Sequence, residues 1–177
     1  MASINGVTIK NYKNFKGHEW EDLAQGSIYL DGKRLGSWSQ DSWGGPDNFD
    51  FDASNLNEAC KNFKDGFPRD YKYIEVCDNV DVFLGELARL MDTEKHLKKF
   101  FKKGYKVAIV ASNGWMASTL ATPIDGSDTE ILTKYAKDIE QMKSEMDGNV
   151  DISIFRPNSF DLIVDATHEV PTFLMSR

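Results

Sequence analysis

The sequence predicts an α+β fold, and three observations indicate it. Short alternating β patterns with turn signals fill the first 52 residues, apolar residues at helical spacing follow, and strands rich in Val and Ile interrupt the later helices. A chain of 177 residues has the size of one domain, or of one domain with a subdomain. We therefore expect a β-hairpin subdomain over residues 1–52 and an α+β subdomain over residues 53–177.

The clearest β signal is a hairpin centred on Asp31-Gly32. Ser27–Leu30 and Lys33–Trp38 flank this dipeptide, which readily takes the positive φ angles of a type I′ turn. Asn48–Asp52 alternates Phe with polar residues, a pattern typical of a strand with one side facing solvent. With Val7–Ile9, the N-terminal region is expected to form three or four short antiparallel strands.

Three helical patterns follow, at Leu56–Phe63, Val80–Met91 and Ile131–Met146. In each of them apolar residues recur at the spacing of an amphipathic helix. Asp92 and Thr93 either start another helix or continue the second one.

The second region also contains predicted strands. Tyr105–Ala111 and Trp115–Ala121 are joined by Asn113-Gly114, another two-residue turn signal. Asp151–Phe155 and Phe160–Val164 are predicted to form a last strand pair, connected by a polar loop that contains proline.

The charge of the chain limits its partners. The formal net charge is −7 and the sequence pI is near 5.0, so a general positive coat for wrapping nucleic acid is absent. Such a protein would meet nucleic acid through a local basic patch, or would compete for a basic protein surface that normally holds nucleic acid. Without a long apolar run or a secretory signal pattern, we expect a cytoplasmic protein with no membrane partner.

Familiar catalytic signatures are missing. The sequence has no P-loop, no G-x-G-x-x-G and no G-x-S-x-G elbow. Its three histidines lie in separate segments, so a multi-histidine metal centre is not expected. Cys60 and Cys77 are expected to be buried reduced thiols. We expect no cofactor, no metal and no small-molecule substrate.

Three carboxylates, Asp47, Asp50 and Asp52, offer an alternative. Carboxylate oxygens are the ligands that Mg²⁺ prefers, and a site made from these three would indicate a small metal-dependent nuclease or phosphoesterase. The alternation of this segment favours another explanation, in which Asp50 and Asp52 form the solvent face of a strand.

A short polar cluster precedes the hairpin. His18 lies beside Glu19, Glu21 and Asp22, a combination that can transfer protons. Because adjacent residues rarely converge on one target, a solvated loop is the expected structure.

One basic strip interrupts the acidic background. Residues 95–106 carry six lysines and no acid, whereas residues 17–52 hold eight acids against Lys33 and Arg34. Phe100 and Phe101 interleave with the lysines at helical spacing, which is typical of an amphipathic helix. The strip is also a candidate patch for the phosphates of RNA or for a nucleoprotein surface, through Lys95, Lys98, Lys99, Lys102 and Lys103.

The hairpin tip is the other candidate site. Two cations directly follow the turn, and large rings, Trp43 among them, lie within or just beyond the hairpin. Such rings can stack on bases while cations hold phosphates, although the same rings can also form the core of a small sheet. The residues expected to contact a partner or RNA are Tyr29, Asp31, Lys33, Arg34 and Trp38.

Gln25–Lys33, followed by Ser39–Gly45, resembles small acidic proteins carried by phages and mobile elements of low-GC Gram-positive bacteria. Within that set, the length, acidity and N-terminal hairpin are similar to the anti-CRISPR proteins that inhibit type II-A Cas9, particularly the group that acts through the guide RNA. The resemblance implies a cytoplasmic inhibitor in the bacterial host cell, with Cas9 and its guide RNA as partners and the hairpin as the working element. In some members of that group the guide becomes shortened.

The expected function is therefore inhibition of a Cas9–guide RNA complex. Since the sequence has no self-sufficient nuclease motif, any shortening of the guide is expected to require Cas9. Two alternatives stay open, namely the small metal-dependent nuclease and a non-enzymatic accessory protein of a mobile element with an unrelated host partner.

Overall fold

The computed structural model describes residues 1–113 and 116–170. Within them the chain forms nine strands and four α-helices, which confirms the predicted α+β class. The strands are β1 Ser3–Ile4, β2 Val7–Lys16, β3 Asp22–Leu30, β4 Lys33–Ser39, β5 Asn48–Phe49, β6 Val107–Ser112, β7 Ala117–Thr122, β8 Asp151–Phe155 and β9 Asp161–Leu162. The helices are α1 Asn57–Asp65, α2 Val80–Phe101, α3 Asp128–Lys134 and α4 Ala136–Ser144.

The described residues divide into two compact units. The first unit contains residues 1–92 and 160–170, and the second contains residues 93–113 and 116–159. These limits differ from the expected division at residue 52, because later parts of the chain join the N-terminal sheet. β9 pairs in parallel with β1, and the side-chain amide of Asn5 donates to the Ala59 carbonyl of α1 at 3.1 Å.

The first unit contains a six-stranded sheet, in the order β5-β4-β3-β2-β1-β9. The hairpin between β3 and β4 turns at Asp31 and Gly32 with φ angles of 49° and 80°, as a type I′ turn requires. A second such turn, at Asn5 and Gly6, joins β1 to β2, and the Asp31 amide donates to the Gly6 carbonyl at 3.0 Å. The predicted hairpin therefore lies inside the sheet, and its tip is hydrogen-bonded to the turn between β1 and β2.

One face of this sheet is buried. Ile9, Ala24, Ile28 and Trp38 point to that face and are almost inaccessible to solvent. Helix α2 covers part of it, because the hydroxyl of Tyr12 donates to the Asp92 carboxylate at 2.8 Å. Burial and this contact raise the pKa of the Tyr12 phenol above its usual range.

Helix α2 is continuous, so residues 92 and 93 extend the second predicted helix and start no new one. The predicted helix over Ile131–Met146 is instead two helices, α3 and α4, which meet at Tyr135. There the backbone leaves helical geometry, and the Tyr135 hydroxyl forms a 2.6 Å hydrogen bond with the Thr122 hydroxyl. None of the helices in the described ranges is both long enough and apolar enough to cross a membrane.

The second unit contains a three-stranded sheet in the order β7-β6-β8. Ile131 and Ile139 of its two short helices pack against Val107 and Ile109 of β6. Of the predicted turn between β6 and β7, Gly114 lies outside the described residues, as does Trp115 at the start of the predicted strand.

The predicted pairing of Asp151–Phe155 with Phe160–Val164 is wrong. β8 pairs with β6 of the second unit, whereas β9 pairs with β1 of the first. The amide of Ser3 donates to the Phe160 carbonyl at 2.8 Å and that of Asn5 to the Leu162 carbonyl at 2.9 Å. The intervening turn therefore passes the chain from one sheet to the other.

Gly26 of β3 is a position where an added methyl group should destabilise the fold. Its Cβ would overlap the buried Ile9 side chain and lie 3.0 Å from the Lys10 carbonyl oxygen. We expect Gly26→Ala to lower the free energy of unfolding by about 1–3 kcal/mol, as overpacking typically does. Gly85 of α2 is the matched control, because a Cβ there meets nothing within 4 Å. Gly85→Ala should raise stability by up to about 1 kcal/mol in urea titrations, and equal effects of the two substitutions would contradict this packing.

Candidate nucleic-acid interface

The second face of the N-terminal sheet is polar. Along β3, Gln25, Ser27 and Tyr29 alternate with the buried residues, and the strand register places Ser37 opposite Ser27 and Ser39 opposite Gln25. On the other side of β3, Lys10 lies opposite Ser27 and Lys13 opposite Gln25. We call this surface the open face, and its residues are Lys10, Lys13, Gln25, Ser27, Tyr29, Arg34, Ser37, Ser39 and Asn48.

A groove of about 450 Å³ lies on the open face. It exists because the central positions of β3 and β4 carry small residues, while longer side chains stand at the rim. Its lining residues are Asn11, Lys13, Gln25, Gly26, Ser27, Ser37, Trp38, Ser39, Asn48, Phe49 and Asp50.

A β-bulge shapes one side of the groove. The register between β2 and β3 shifts between Lys10 and Lys13, and Asn11 within the bulge has a φ of 54°. Bulges redirect side chains at the points where the ladder is interrupted. Here the bulge places Asn11 and Lys13, both exposed, at the groove's rim.

Three cations belong to the open face. The Lys10 ammonium lies 4.1 Å from the centre of the Tyr29 ring, a cation–π contact. Arg34 pairs with Tyr29 in the strand register, which places it on the same face. Lys13 stands at the groove's rim. The arrangement offers cations for phosphates, together with amide and hydroxyl groups for the edges of bases.

Asp50 closes the end of the groove nearest β5. The predicted strand over Asn48–Asp52 stops after Phe49 because the Asp50 carboxylate accepts hydrogen bonds from the Ser37 hydroxyl and amide. These bonds, with a smaller effect from the Arg34 charge, lower the pKa of Asp50. Asp50 is exposed as expected, but its carboxylate is held by β4.

The residues of the predicted hairpin site separate into two groups. Asp31, Lys33 and Arg34 are exposed at the tip, and Tyr29 is half-buried on the open face. Trp38 is only 2% exposed and belongs to the opposite face, so it is a core residue and cannot stack on a base. The strand register separates them, because it pairs Trp38 with Gly26 on the buried face, whereas the pleat turns Tyr29 to the other face.

The three carboxylates of the metal-dependent alternative contact different groups. Asp47 accepts from the Trp38 indole at 2.6 Å, Asp50 accepts from Ser37, and Asp52 accepts from the Ser54 amide at 3.0 Å. Within residues 1–113 and 116–170, no group of three or more His, Cys, Asp or Glu side chains could hold a metal ion. The alternative therefore gains no support from the structure.

The lysine strip lies at the C-terminal end of α2 and just beyond it, in the second unit. The Lys98 ammonium pairs with the buried Glu94 carboxylate at 3.1 Å, and that of Lys99 lies 5.1 Å from the centre of the Phe100 ring. The lysines of the strip are exposed, and Leu97 between them is buried. This is the amphipathic helix that the spacing indicated.

The cluster around His18 contains a contact that the sequence did not reveal. The His18 ring stacks on Trp43 with 4.0 Å between ring centres, and its amide donates to the Ser42 carbonyl at 3.1 Å. No local pattern joins positions so far apart along the chain. The only available signal was the occurrence of an aromatic residue in both loops.

Comparisons with protein-family models, with curated proteins and with solved structures found no match for this chain.

Asp47 should make stability depend on pH. Burial, opposed by the Trp38 hydrogen bond and reinforced by the Asp81 charge, raises its pKa from 3.8 to about 6. The folded chain therefore retains this proton where the unfolded chain has lost it, and the resulting stability disappears as pH rises from about 4 through 6. Between pH 4 and pH 7, we expect the free energy of unfolding of Asp47→Asn to rise by about 1 kcal/mol relative to that of the native chain. This value is reduced for solvent screening.

Asp52→Asn is the control, because its stability relative to the native chain should change with pH in the opposite direction. Hydrogen bonds from the Ser54 side chain and backbone lower the pKa of Asp52, so the native chain gains stability from this carboxylate as pH rises towards 4. Asp52→Asn should therefore lose stability relative to the native chain over that range. Urea titrations at several pH values measure both differences, and a flat profile for Asp47→Asn would contradict the raised pKa.

Proposed function

We propose that the protein inhibits a Cas9–guide RNA complex and that it binds this complex through the open face and the adjoining hairpin tip. The observation that supports the proposal most is the placement of Lys10, Lys13 and Arg34 on one polar face in a chain of net charge −7, with Lys13 at the rim of its groove. The identity of the partner follows from the resemblance of the hairpin region to anti-CRISPR proteins.

The chemistry of the open face suits a short stretch of single-stranded RNA. Proteins recognise unpaired RNA by hydrogen bonds to base edges, by stacking and by cations that hold phosphates. Gln25 and Asn48 supply amide groups at the rim, and Tyr29 supplies a half-buried ring. Because the rest of the chain is acidic, the contact is expected to be local and to weaken as salt is added.

In this proposal the protein acts by binding the Cas9–guide RNA complex. Since the carboxylates considered for catalysis contact different neighbours, any shortening of the guide is assigned to Cas9 within the complex. The tip cations are included in the binding surface because Lys33 and Arg34 are exposed next to the open face.

A Cas9 cleavage assay with charge-reversal variants tests the surface. We expect Lys10→Glu/Lys13→Glu and Lys33→Glu/Arg34→Glu each to weaken inhibition by about tenfold or more, because each removes two phosphate-binding cations. Lys134→Glu/Lys137→Glu, at exposed positions near the junction of α3 and α4, makes the same charge change and should leave inhibition within about twofold. The melting temperatures of all three variants should be close to that of the native chain, since exposed charges change stability by about 0.5 kcal/mol or less.

The state of the guide distinguishes the mechanisms. Guide RNA is incubated with the protein alone and with the protein and Cas9, and is then run on a denaturing gel. An intact guide in the first sample is expected, and shortening by the protein alone would overturn the assignment of cleavage to Cas9. Full Cas9 activity at saturating protein would instead favour the accessory-protein alternative.

Direct binding to RNA gives a quantitative check of the open face. The affinity for a single-stranded RNA, measured by fluorescence anisotropy, should fall as salt rises, and each lost phosphate contact should reduce the slope of log affinity against log salt by about 0.7. Lys10→Glu/Lys13→Glu should therefore flatten the slope. An unchanged slope would remove these two lysines from the RNA contact.

A further inference from the structure

Two loops at the end of the sheet opposite the hairpin tip carry exposed tryptophans. Residues 16–22 run from the last residue of β2 to the first residue of β3, and residues 40–47 join β4 to β5. Trp20 is 79% exposed and Trp43 is 75% exposed, although the His18 ring covers one side of Trp43. We call these two segments the tryptophan loops.

Several hydrogen bonds fix the loop that carries Trp43. The Asp41 carboxylate accepts from the amides of Trp43 at 2.8 Å and Gly45 at 3.0 Å, and the His18 amide donates to the neighbouring Ser42 carbonyl. These amides, that of Gly45 first, lower the pKa of Asp41, so its carboxylate stays ionised. Trp43 is thus exposed on a loop that is fixed at several points.

Trp20 has an unusual backbone conformation. Its φ is 66°, and its amide donates to the Gly17 carbonyl at 3.2 Å across a tight turn. A bulky residue in the left-handed region is a conformational outlier, and such strain concentrates at functional sites. Among non-glycine residues this region is enriched in Asn and Asp, so an exposed Trp is not explained by the turn alone.

The surroundings of both rings are acidic. The tryptophan loops contain five carboxylates and one lysine, and that lysine, Lys16, is paired with Asp22 at 2.8 Å. The Glu21 carboxylate accepts a hydrogen bond from the Glu19 amide at 2.8 Å. The Glu19 side chain is exposed and lies next to Trp20 in the sequence. Aromatic faces combined with carboxylates attract organic cations and repel phosphates.

We propose that the tryptophan loops bind an arginine-bearing protein surface, with guanidinium groups stacked on Trp20 and Trp43 and paired with the loop carboxylates. The guanidinium group fits this chemistry best because it is planar, stacks on aromatic rings and forms bidentate pairs with carboxylates. The site is separate from the open face in its residues and opposite to it in charge, and it does not depend on the function proposed above.

The test uses octa-arginine as the probe and the indole N–H signals of the tryptophans as the readout. In NMR titrations of the full chain, the Trp20 and Trp43 signals should shift, whereas the buried Trp38 signal should stay in place. Octa-lysine should bind about threefold or more weakly, because an ammonium group cannot stack as a plane. A ten-nucleotide poly-uridine should leave both signals unchanged, and an equal response to it would overturn the proposal.

Matched variants separate this site from general attraction to an acidic protein. Trp20→Ala and Trp43→Ala should each weaken octa-arginine binding by about threefold, and Glu19→Gln/Asp22→Asn should weaken it by a similar factor. Asp138→Asn/Glu145→Gln removes two exposed carboxylates, one from α4 and one from the residue that follows it. This control should change the affinity for octa-arginine by less than about 1.5-fold. An unchanged Trp38 signal shows that each variant is folded. Equal losses in the loop and control variants, or no loss in the tryptophan variants, would refute the proposed contact.

Discussion

The alternation of side chains along β3 is the constraint on which the rest of the first unit depends. Ala24 and Ile28 must face the core, and the strand pleat then forces Gln25, Ser27 and Tyr29 to the other side. A register slip of one residue would exchange the two sets and bury polar groups. The bulge near Lys10 and the two type I′ turns hold the register, so the open face follows directly from how the core is built.

Two surfaces of opposite charge result within one unit. The open face carries three cations and a polar groove, and the tryptophan loops carry five carboxylates and two exposed rings. A nucleoprotein complex presents both phosphates and basic side chains. A small acidic protein with both proposed surfaces has complementary chemistry for each component, which neither surface would provide alone.

Local sequence patterns predicted those elements whose conformation is set by neighbouring residues. Asp31-Gly32 specified its turn because few dipeptides accept two positive φ angles, and helix α2 followed from apolar spacing. The predicted partner for Phe160–Val164 was wrong because strand pairing between distant segments depends on tertiary context. The expected partner contact of Trp38 was wrong for a related reason, since alternation separates two faces but does not say which face will be buried.

The parallel pairing of β9 with β1 makes the order of synthesis matter. Ser3 finds its partner only when residue 160 has been made, so the N-terminal sheet keeps an open edge until then. Contacts between segments so far apart in sequence form slowly, and an uncovered edge can pair with another chain in the meantime. A nascent chain of this protein is therefore exposed to self-association at this edge until β9 emerges from the ribosome.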